Sequence, residues 1–168
     1  QDRHLKDETK LKIINLFARA CGPEGMVEGQ NRDILSENKV LTEEELDEIH
    51  YLKTGKLIEA CVMCVCLIKK NIDDITIDKL IEFSNKFGLA FQIRDDILDE
   101  IGDEAKIGKP IKSDIKNNKS TYPSIIGIEK SQKKAELLID KALGILNELP
   151  FKTDKLEFLC ELVIKRKN

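Results

Sequence analysis

Three carboxylates close an otherwise apolar stretch of this sequence, Phe91-Gln92-Ile93-Arg94-Asp95-Asp96-Ile97-Leu98-Asp99. On an α-helix, Asp95 and Asp99 are four residues apart and share a face, while Asp96 points roughly 100° away. Hard oxygen ligands of this kind suit Mg²⁺, which is usually held by one or two carboxylates, several waters and the phosphates of a substrate. The motif therefore predicts metal-bridged phosphate binding, with an acidic, solvated helix end as the simpler alternative.

Two other motifs that could bind cations or phosphate do not fit the sequence. An EF-hand loop counted from Asp95 would place Ile97 at its third position and Glu100 at its sixth, where a polar ligand and a glycine are needed. A P-loop over 102–109 is one residue too long, and Pro110 stands where Ser or Thr is required. Calcium is therefore not favoured, and the P-loop match is discarded.

The composition is that of one globular domain. The 168 residues are 41% hydrophobic and 35% charged, which is enough for a packed core and argues against disorder. A net charge of -3 and few aromatic residues give neither a general field nor a stacking surface for nucleic acid. The longest apolar run, Leu57 to Ile68, is interrupted by Glu59 and is too short to span a bilayer. We therefore expect no nucleic acid partner, no transmembrane segment and a cytoplasmic location.

The cysteines, the histidine at position 50 and a second acidic cluster are expected to be structural. Five cysteines, with Cys61, Cys64 and Cys66 in one apolar run, predict buried free thiols rather than disulfides or a zinc site. His50 lies in a helical pattern, where a lone histidine is more often packed or surface-exposed than catalytic. The acidic cluster at 73–78 lies at a predicted helix start, where aspartates cap the helix.

Apolar residues recur at helical spacing in nearly every segment, and no convincing strand pattern is present. Thr42 followed by Glu45 is a capping box that opens a helix predicted to continue through Ile68. Another helix, with Asp74 or Thr76 as its N-cap, delivers the acidic motif. The other predicted segments are a helix ending at Gly22-Pro23, a loop over 102–120, a helix from Tyr122-Pro123, one from Ala135 to Leu149, and a last one from Thr153 or Asp154. The sequence therefore predicts an all-α fold.

Lysines complete the pattern of a diphosphate site. Lys53-Thr54-Gly55, the Asp95 to Asp99 motif, Gly108-Lys109 and Asn118-Lys119-Ser120-Thr121 together supply metal ligands and cations of the kind that a diphosphate needs. With these motifs in this order, the chain resembles the C-terminal part of the trans-isoprenyl diphosphate synthases, the farnesyl and geranylgeranyl diphosphate synthase family. The matching stretches are Gly25-Met26-Val27-Glu28-Gly29-Gln30 with Asp33, Ile49-His50-Tyr51-Leu52-Lys53-Thr54-Gly55, Gly88-Leu89-Ala90-Phe91-Gln92-Ile93-Arg94-Asp95-Asp96-Ile97-Leu98-Asp99, and Asn118-Lys119-Ser120-Thr121-Tyr122-Pro123.

The resemblance implies an all-α fold of helices around a deep cavity and a homodimeric, Mg²⁺-dependent prenyltransferase. Such an enzyme condenses an allylic diphosphate with isopentenyl diphosphate to give a short-chain product, farnesyl or geranylgeranyl diphosphate. In that chemistry the allylic C–O bond ionises, the isopentenyl double bond attacks the carbocation, and a proton is lost. The protein must therefore stabilise the departing diphosphate with Mg²⁺ and cations and shield the carbocation from water.

The resemblance also implies roles for individual residues. The implied metal ligands are Asp95, Asp96 and Asp99. The implied contacts to the allylic diphosphate are Lys53, Lys109 and Lys119. The residues implied to lie beside the reacting carbons are Thr54 and Gln92. Asp95 is expected to bind Mg²⁺ directly, and the other two carboxylates through water or neighbouring groups. The basic tail, Lys165-Arg166-Lys167, is expected either to approach isopentenyl diphosphate or to be a solvated helix end.

One departure from the family pattern limits these expectations. Family members carry a first aspartate-rich motif upstream of everything in this sequence, and Asp73-Asp74 cannot replace it because that segment aligns with an ordinary loop. We therefore interpret residues 1–168 as a single partial polyprenyl synthetase domain that lacks the N-terminal half and is catalytically incomplete alone. The alternatives are a non-catalytic truncated homologue, acting as a structural or regulatory subunit of a complete synthase, and a terpene cyclase, which the Lys-Thr-Gly and aspartate pattern disfavours. Apolar helix faces without packing partners predict self-association or dependence on a partner.

Overall fold

Helices form nearly all of the part of the chain that the computed structural model describes, which is residues 5–69, 71–101 and 119–165. The elements are α1 (Asp7–Cys21), α2 (Met26–Leu35), α3 (Glu43–His50), a π-helical turn (Tyr51–Gly55), α4 (Lys56–Ile68), α5 (Asp74–Ile101), α6 (Tyr122–Ile126), α7 (Ile128–Asn147) and α8 (Asp154–Lys165). These ranges contain no strand. The predicted all-α fold is confirmed.

The predicted capping box at the start of α3 is present. The Thr42 side chain accepts a hydrogen bond from the Glu45 N–H at 3.2 Å, and the Glu45 carboxylate accepts one from the Thr42 N–H at 2.8 Å. Both groups would otherwise be unpaired donors at a helix start, so the box fixes where α3 begins. The helical run that it opens continues through Ile68, as predicted, but with a change of geometry at the π-helical turn.

The acidic cluster before α5 caps that helix, although through a different residue from the predicted ones. The Asp73 carboxylate accepts from the Thr76 N–H at 2.8 Å and from the Thr76 hydroxyl at 2.9 Å. The prediction of Asp74 or Thr76 as the N-cap is therefore wrong by one to three residues, while the structural role of the cluster is correct. Backbone N–H groups and an adjacent hydroxyl lower the pKa of the Asp73 carboxyl, so it stays charged at the helix N-terminus.

Two elements differ from the predicted ones in the rest of the chain. Helix α7 begins at Ile128, well before the predicted Ala135, and ends at Asn147, so Leu149 lies outside it. Gly127 separates α6 from α7 with φ of 84°, a left-handed conformation that glycine adopts without steric cost. Helix α2 was not predicted, because its sequence is mostly polar and begins directly after a glycine-rich break.

Helix α5 is the central element of the core. Ala90, Ile93 and Ile97 on α5 are fully buried, and they belong to one apolar cluster with Ala142 of α7 and Cys160 of α8. Helix α4 also packs against α5, so α5 is covered on several sides. Burying an isoleucine side chain stabilises a fold by about 1.5–3 kcal/mol. This packing fixes the direction of α5 and therefore the position of the acidic residues at its C-terminal end.

Helices α1 and α2 present apolar side chains to solvent. Leu11 and Ile14 on α1 are 66% and 64% exposed, and Val27 and Ile34 on α2 are 55% and 53% exposed. Such a group of exposed apolar residues is typical of a surface that packs against another part of a protein. Within the three described ranges, no helix combines the length and the apolar character that crossing a membrane requires.

The five cysteines are all free, and only some of them are buried. Cys66 and Cys160 are buried, Cys21 and Cys64 are half-buried, and Cys61 is exposed. Burial raises the pKa of the Cys160 thiol to about 11, so this side chain is a neutral, apolar part of the core. The prediction of buried free thiols is therefore correct for Cys66 and Cys160 and wrong for Cys61.

Candidate functional site

A π-helical turn places Lys53 and Thr54 between α3 and α4. Single π-helical turns inside longer helices are rare and occur frequently at functional sites, because they redirect side chains without ending the helix. Helix α2 crosses this turn at Gly29, where an added Cβ would lie 2.3 Å from the backbone nitrogen of Lys53. The absence of a side chain at Gly29 therefore permits contact between the two backbones and sets the position of Lys53.

The last turns of α5 bring the acidic motif to the same place. Gln92, Asp95, Asp96 and Asp99 all line one predominantly polar cavity of about 210 Å³, together with Lys53. The other lining residues are Asp33, Leu46, His50, Lys119, Ser120 and Thr121. Six of the eight residues implied by the resemblance thus meet at one cavity, although they come from separate segments of the sequence. The structure has larger cavities in its described part, including one of about 900 Å³ beside α1, but that cavity holds none of these residues.

One carboxylate oxygen joins the two lysines of this cavity. Asp33 Oδ2 accepts a hydrogen bond from Lys53 Nζ at 2.9 Å and another from Lys119 Nζ at 2.7 Å. Burial by itself would raise the pKa of the Asp33 carboxyl, but the hydrogen bonds and charges of Lys119 and Lys53 outweigh burial and hold the pKa below its usual range. Asp33 is therefore an anion at neutral pH, at the point where two cations meet.

Asp96 contacts the start of α6 and the His50 ring. Its Oδ2 accepts a hydrogen bond from the Tyr122 N–H at 3.0 Å and lies 3.3 Å from His50 Nε2. The His50 ring stacks on the Tyr122 ring at 5.9 Å, and His50 Nδ1 is buried without a hydrogen-bond partner. Burial raises the pKa of the Asp96 carboxyl, and the neighbouring His50 offsets part of that effect. Asp96 therefore ties α5 to the start of α6, and His50 is a packed residue, as predicted.

The carboxylates of the acidic motif are oxygen ligands of the kind that Mg²⁺ prefers, although they do not form a complete metal site by themselves. In residues 5–69, 71–101 and 119–165, no group of three His, Cys, Asp or Glu side chains is arranged to hold a metal ion by itself. Mg²⁺ does not require such a group, because one or two carboxylates plus substrate phosphates are its usual ligands in proteins. Asp95 and Asp99 lie one helical turn apart and both line the cavity, so this pair suits a shared ion.

Three of the predicted site positions lie elsewhere or cannot be placed. Thr54 is half-buried and is not among the residues that line the cavity. Lys109 and the tail residues after Lys165 lie outside the described residues. Lys165 is exposed and pairs with Glu161 at 2.7 Å, one helical turn away, which is the geometry of a solvated helix end.

Sequence reasoning gave no role to Asp33, which the structure places between the two lysines. Asp33 does belong to one of the stretches that carried the resemblance, but the sequence shows nothing of its partners, which follow it by 20 and 86 residues. Ser120 was also given no role of its own. Its hydroxyl donates to the Lys39 carbonyl at 2.9 Å and accepts from the Leu41 N–H at 3.1 Å, so it fixes the backbone next to Lys119.

The fold and the site define a class of protein. A helical domain with an aspartate motif and two lysines around one polar cavity has the parts of a diphosphate-binding site. The family model described as polyprenyl synthetase matches residues 3–159. The chain belongs to the polyprenyl synthetase family.

Three members of the family show how similar this chain is to known proteins. The chain is 41% identical over 167 residues to the farnesyl diphosphate synthase of Bacillus subtilis, covering 97% of this chain and 56% of the relative. It is 42% identical over 165 residues to the farnesyl diphosphate synthase of Geobacillus stearothermophilus, covering 98% and 55%. Among solved structures, the geranyltransferase of Helicobacter pylori complexed with magnesium and isoprenyl diphosphate superposes with a TM-score of 0.83 at 28% identity, covering 98% of this chain and 54% of that one. The chain thus spans about half the length of the relatives it matches.

Proposed function

We propose that this chain carries the second aspartate-rich motif and the diphosphate-binding lysines of a trans-prenyltransferase. The reaction is the Mg²⁺-dependent condensation of an allylic diphosphate with isopentenyl diphosphate to give farnesyl or geranylgeranyl diphosphate. The observation that supports this function is the meeting of Lys53, Lys119, Gln92, Asp95 and Asp99 at one polar cavity. The family membership and the farnesyl diphosphate synthase relatives support the same reaction.

The residues of the cavity have separable roles in this reaction. Lys53 and Lys119 supply positive charge to the diphosphate, whose negative charge grows as the allylic C–O bond breaks. Asp95 and Asp99 would hold Mg²⁺, with Asp96 acting through water or neighbouring groups. The ion would neutralise further charge on the leaving group. Gln92 lies one turn before Asp95, and its amide oxygen is able to face the carbocation. Thr54 and Lys109 complete the proposed set beside the substrate.

The proposal includes a homodimer and a cytoplasmic location. The exposed apolar residues of α1 and α2, Leu11, Ile14, Val27 and Ile34, support an assembly because a partner would remove them from water. The residues 1–168 are proposed to be one partial domain, because the relatives are about twice as long. Ligands beyond Asp95 and Asp99 would then come from the part of the relatives that this chain does not cover.

A second candidate function is that of a non-catalytic subunit of a complete synthase. The observation that favours it is that the chain spans only about half the length of the relatives it matches. A subunit of this kind would keep the fold and the cavity without completing the metal site. The two functions differ in one measurable property, which is product formation once the part of the domain that this chain does not cover is supplied.

The experiment that tests the proposal is incubation of the purified chain with geranyl diphosphate and labelled isopentenyl diphosphate, with and without Mg²⁺. The part of the domain that this chain does not cover is supplied as a second polypeptide taken from the Bacillus subtilis relative. We expect an extended prenyl diphosphate only with Mg²⁺, and a loss of about 100-fold or more in Asp95→Ala and in Lys53→Ala. Asp140→Ala and Lys141→Ala are matched controls, since both residues are exposed on α7 and neither lines the cavity. Absence of product from a folded sample that still binds pyrophosphate would favour the non-catalytic subunit. Absence of both product and pyrophosphate binding would refute the proposed site.

A further inference from the structure

The carboxylate of Asp33 bonds to both lysines of the cavity. Its side chain is 15% exposed, as is that of Lys119, while the side chain of Lys53 is 36% exposed. Both ammonium groups donate to the same oxygen, Oδ2, at 2.9 and 2.7 Å. The three groups come from α2, from the π-helical turn and from the residue that precedes Ser120, so no local sequence interaction brings them together. The packing of separate segments therefore brings Asp33, Lys53 and Lys119 together.

Two lysine side chains that share one acceptor would repel each other if that acceptor were neutral. Like charges at such a separation destabilise a partly buried site, and an anion between them offsets the repulsion. The low pKa of the Asp33 carboxyl keeps this anion charged at neutral pH. Asp33 therefore holds the two ammonium groups side by side before any phosphate arrives.

A diphosphate would need these same ammonium groups. Each ammonium has three N–H donors and no acceptor, so both lysines are able to bond to phosphate oxygens as well as to a carboxylate. The carboxylate nevertheless opposes the approach of a second anion to the shared cations, because like charges repel across a short, partly desolvated distance. The Asp33 carboxylate and a bound diphosphate thus act on the two lysines in opposition.

We propose that Asp33 is a positioning residue which holds Lys53 and Lys119 together as their resident counter-ion and competes with diphosphate for them. Asp33 thereby weakens the binding of diphosphate and assists its release after the reaction. This inference deepens the proposed function and relies on Lys53 and Lys119 being the diphosphate contacts. Its direct consequence is that removing the negative charge of Asp33 tightens the binding of inorganic pyrophosphate.

The test compares the affinity of the full chain for inorganic pyrophosphate, with Mg²⁺ present, in calorimetric titrations of several variants. Asp33→Asn keeps the shape of the side chain and removes its charge, so we expect a dissociation constant lower by roughly tenfold. Asp33→Glu keeps the charge, and we expect an affinity within about threefold of the original chain. Asp140→Asn removes one negative charge on the exposed face of α7 and controls for net charge, so we expect no change.

The outcomes separate this inference from the simpler view that Asp33 only maintains the local structure. A structural residue would weaken pyrophosphate binding when replaced, so weaker or unchanged binding in folded Asp33→Asn overturns the inference. If Asp33→Asn does not fold, Asp33→Ser, which is neutral and smaller, gives the same comparison. In a Lys119→Met background the effect of Asp33→Asn should shrink, since one of the two shared cations is gone; an undiminished effect would also overturn the inference.

The failure of the inference and the failure of the proposed function give different results. If the chain forms a prenyl product but Asp33→Asn does not tighten pyrophosphate binding, the counter-ion role is wrong and the prenyltransferase function stands. If Asp33→Asn tightens pyrophosphate binding but no variant forms product, the counter-ion role stands and the catalytic function is wrong. If neither the original chain nor Asp33→Asn binds pyrophosphate, both are wrong.

Discussion

Replacement of Gly29 by alanine would test the closest backbone contact near the candidate site. The new Cβ would lie 2.3 Å from the backbone nitrogen of Lys53 and 2.6 Å from its Cα. Both are backbone atoms of the π-helical turn, so no flexible side chain is able to move aside. Either α2 or the turn that carries Lys53 has to shift.

The expected magnitude follows from two opposing effects. Alanine is favoured over glycine inside a helix by about 1 kcal/mol, and Gly29 lies within α2. Overpacking of a tight contact costs about 1–3 kcal/mol, and a backbone clash lies at the upper end of that range. We therefore expect Gly29→Ala to lower the free energy of unfolding by about 1–2 kcal/mol. Gly144→Ala is the matched control, because Gly144 lies in α7 and a Cβ there meets nothing within 4 Å.

The assay is urea unfolding followed by circular dichroism, with pyrophosphate titration of each folded variant. Gly144→Ala should raise the free energy of unfolding by about 0.5–1 kcal/mol and leave pyrophosphate binding unchanged. Gly29→Ala should lower both stability and pyrophosphate affinity, because Lys53 moves with the turn. Equal stabilisation by the two substitutions would refute the reasoning, since it would mean that α2 and the π-helical turn are not in contact.

Two further predictions concern buried groups. Asp96→Ala should lower the free energy of unfolding by about 1–3 kcal/mol in urea titrations, because the Tyr122 N–H loses its acceptor. Asp96→Asn should cost less, because the amide oxygen still accepts that hydrogen bond. Equal losses of stability in the two variants would contradict this prediction. Cys160 has a pKa raised by burial from 9.0 to about 11, so its contribution to stability is full below pH 9 and is lost as the pH rises toward 11. Cys160→Ala should therefore lose less stability than the original chain between those pH values. Alkylation at pH 8 should label exposed Cys61 first and Cys160 only after unfolding.

The sequence predicted those features of the fold that depend on neighbouring residues. The capping box of Thr42 and Glu45 involves residues three apart, and the apolar spacing of α5 repeats with each helical turn. The same reasoning placed Asp95 and Asp99 on one face of a helix, and both line the cavity. Local patterns of this kind are determined by helix geometry, so they are readable without a structure.

The features that the sequence did not predict depend on the packing of distant segments. The π-helical turn interrupts a run whose apolar spacing is that of an ordinary α-helix, and the close approach of Gly29 to Lys53 has no signature in the sequence of either segment. The two bonds of Asp33 join residues 20 and 86 positions away. Contacts of this kind arise only when helices pack, and sequence spacing gives no information on them.

The acidic motif shows how one short sequence serves two structural purposes. Asp95 and Asp96 are adjacent, and because a helix turns by about 100° per residue, their side chains leave α5 in different directions, although both line the cavity. Asp96 is used inside the protein, where the Tyr122 N–H and the His50 ring surround it. Asp95 and Asp99 lie a full turn apart and line the cavity together. The Asp96 carboxylate anchors α5 to α6, and that anchor holds the C-terminal end of α5 in the position from which Asp95 and Asp99 are able to act on a ligand.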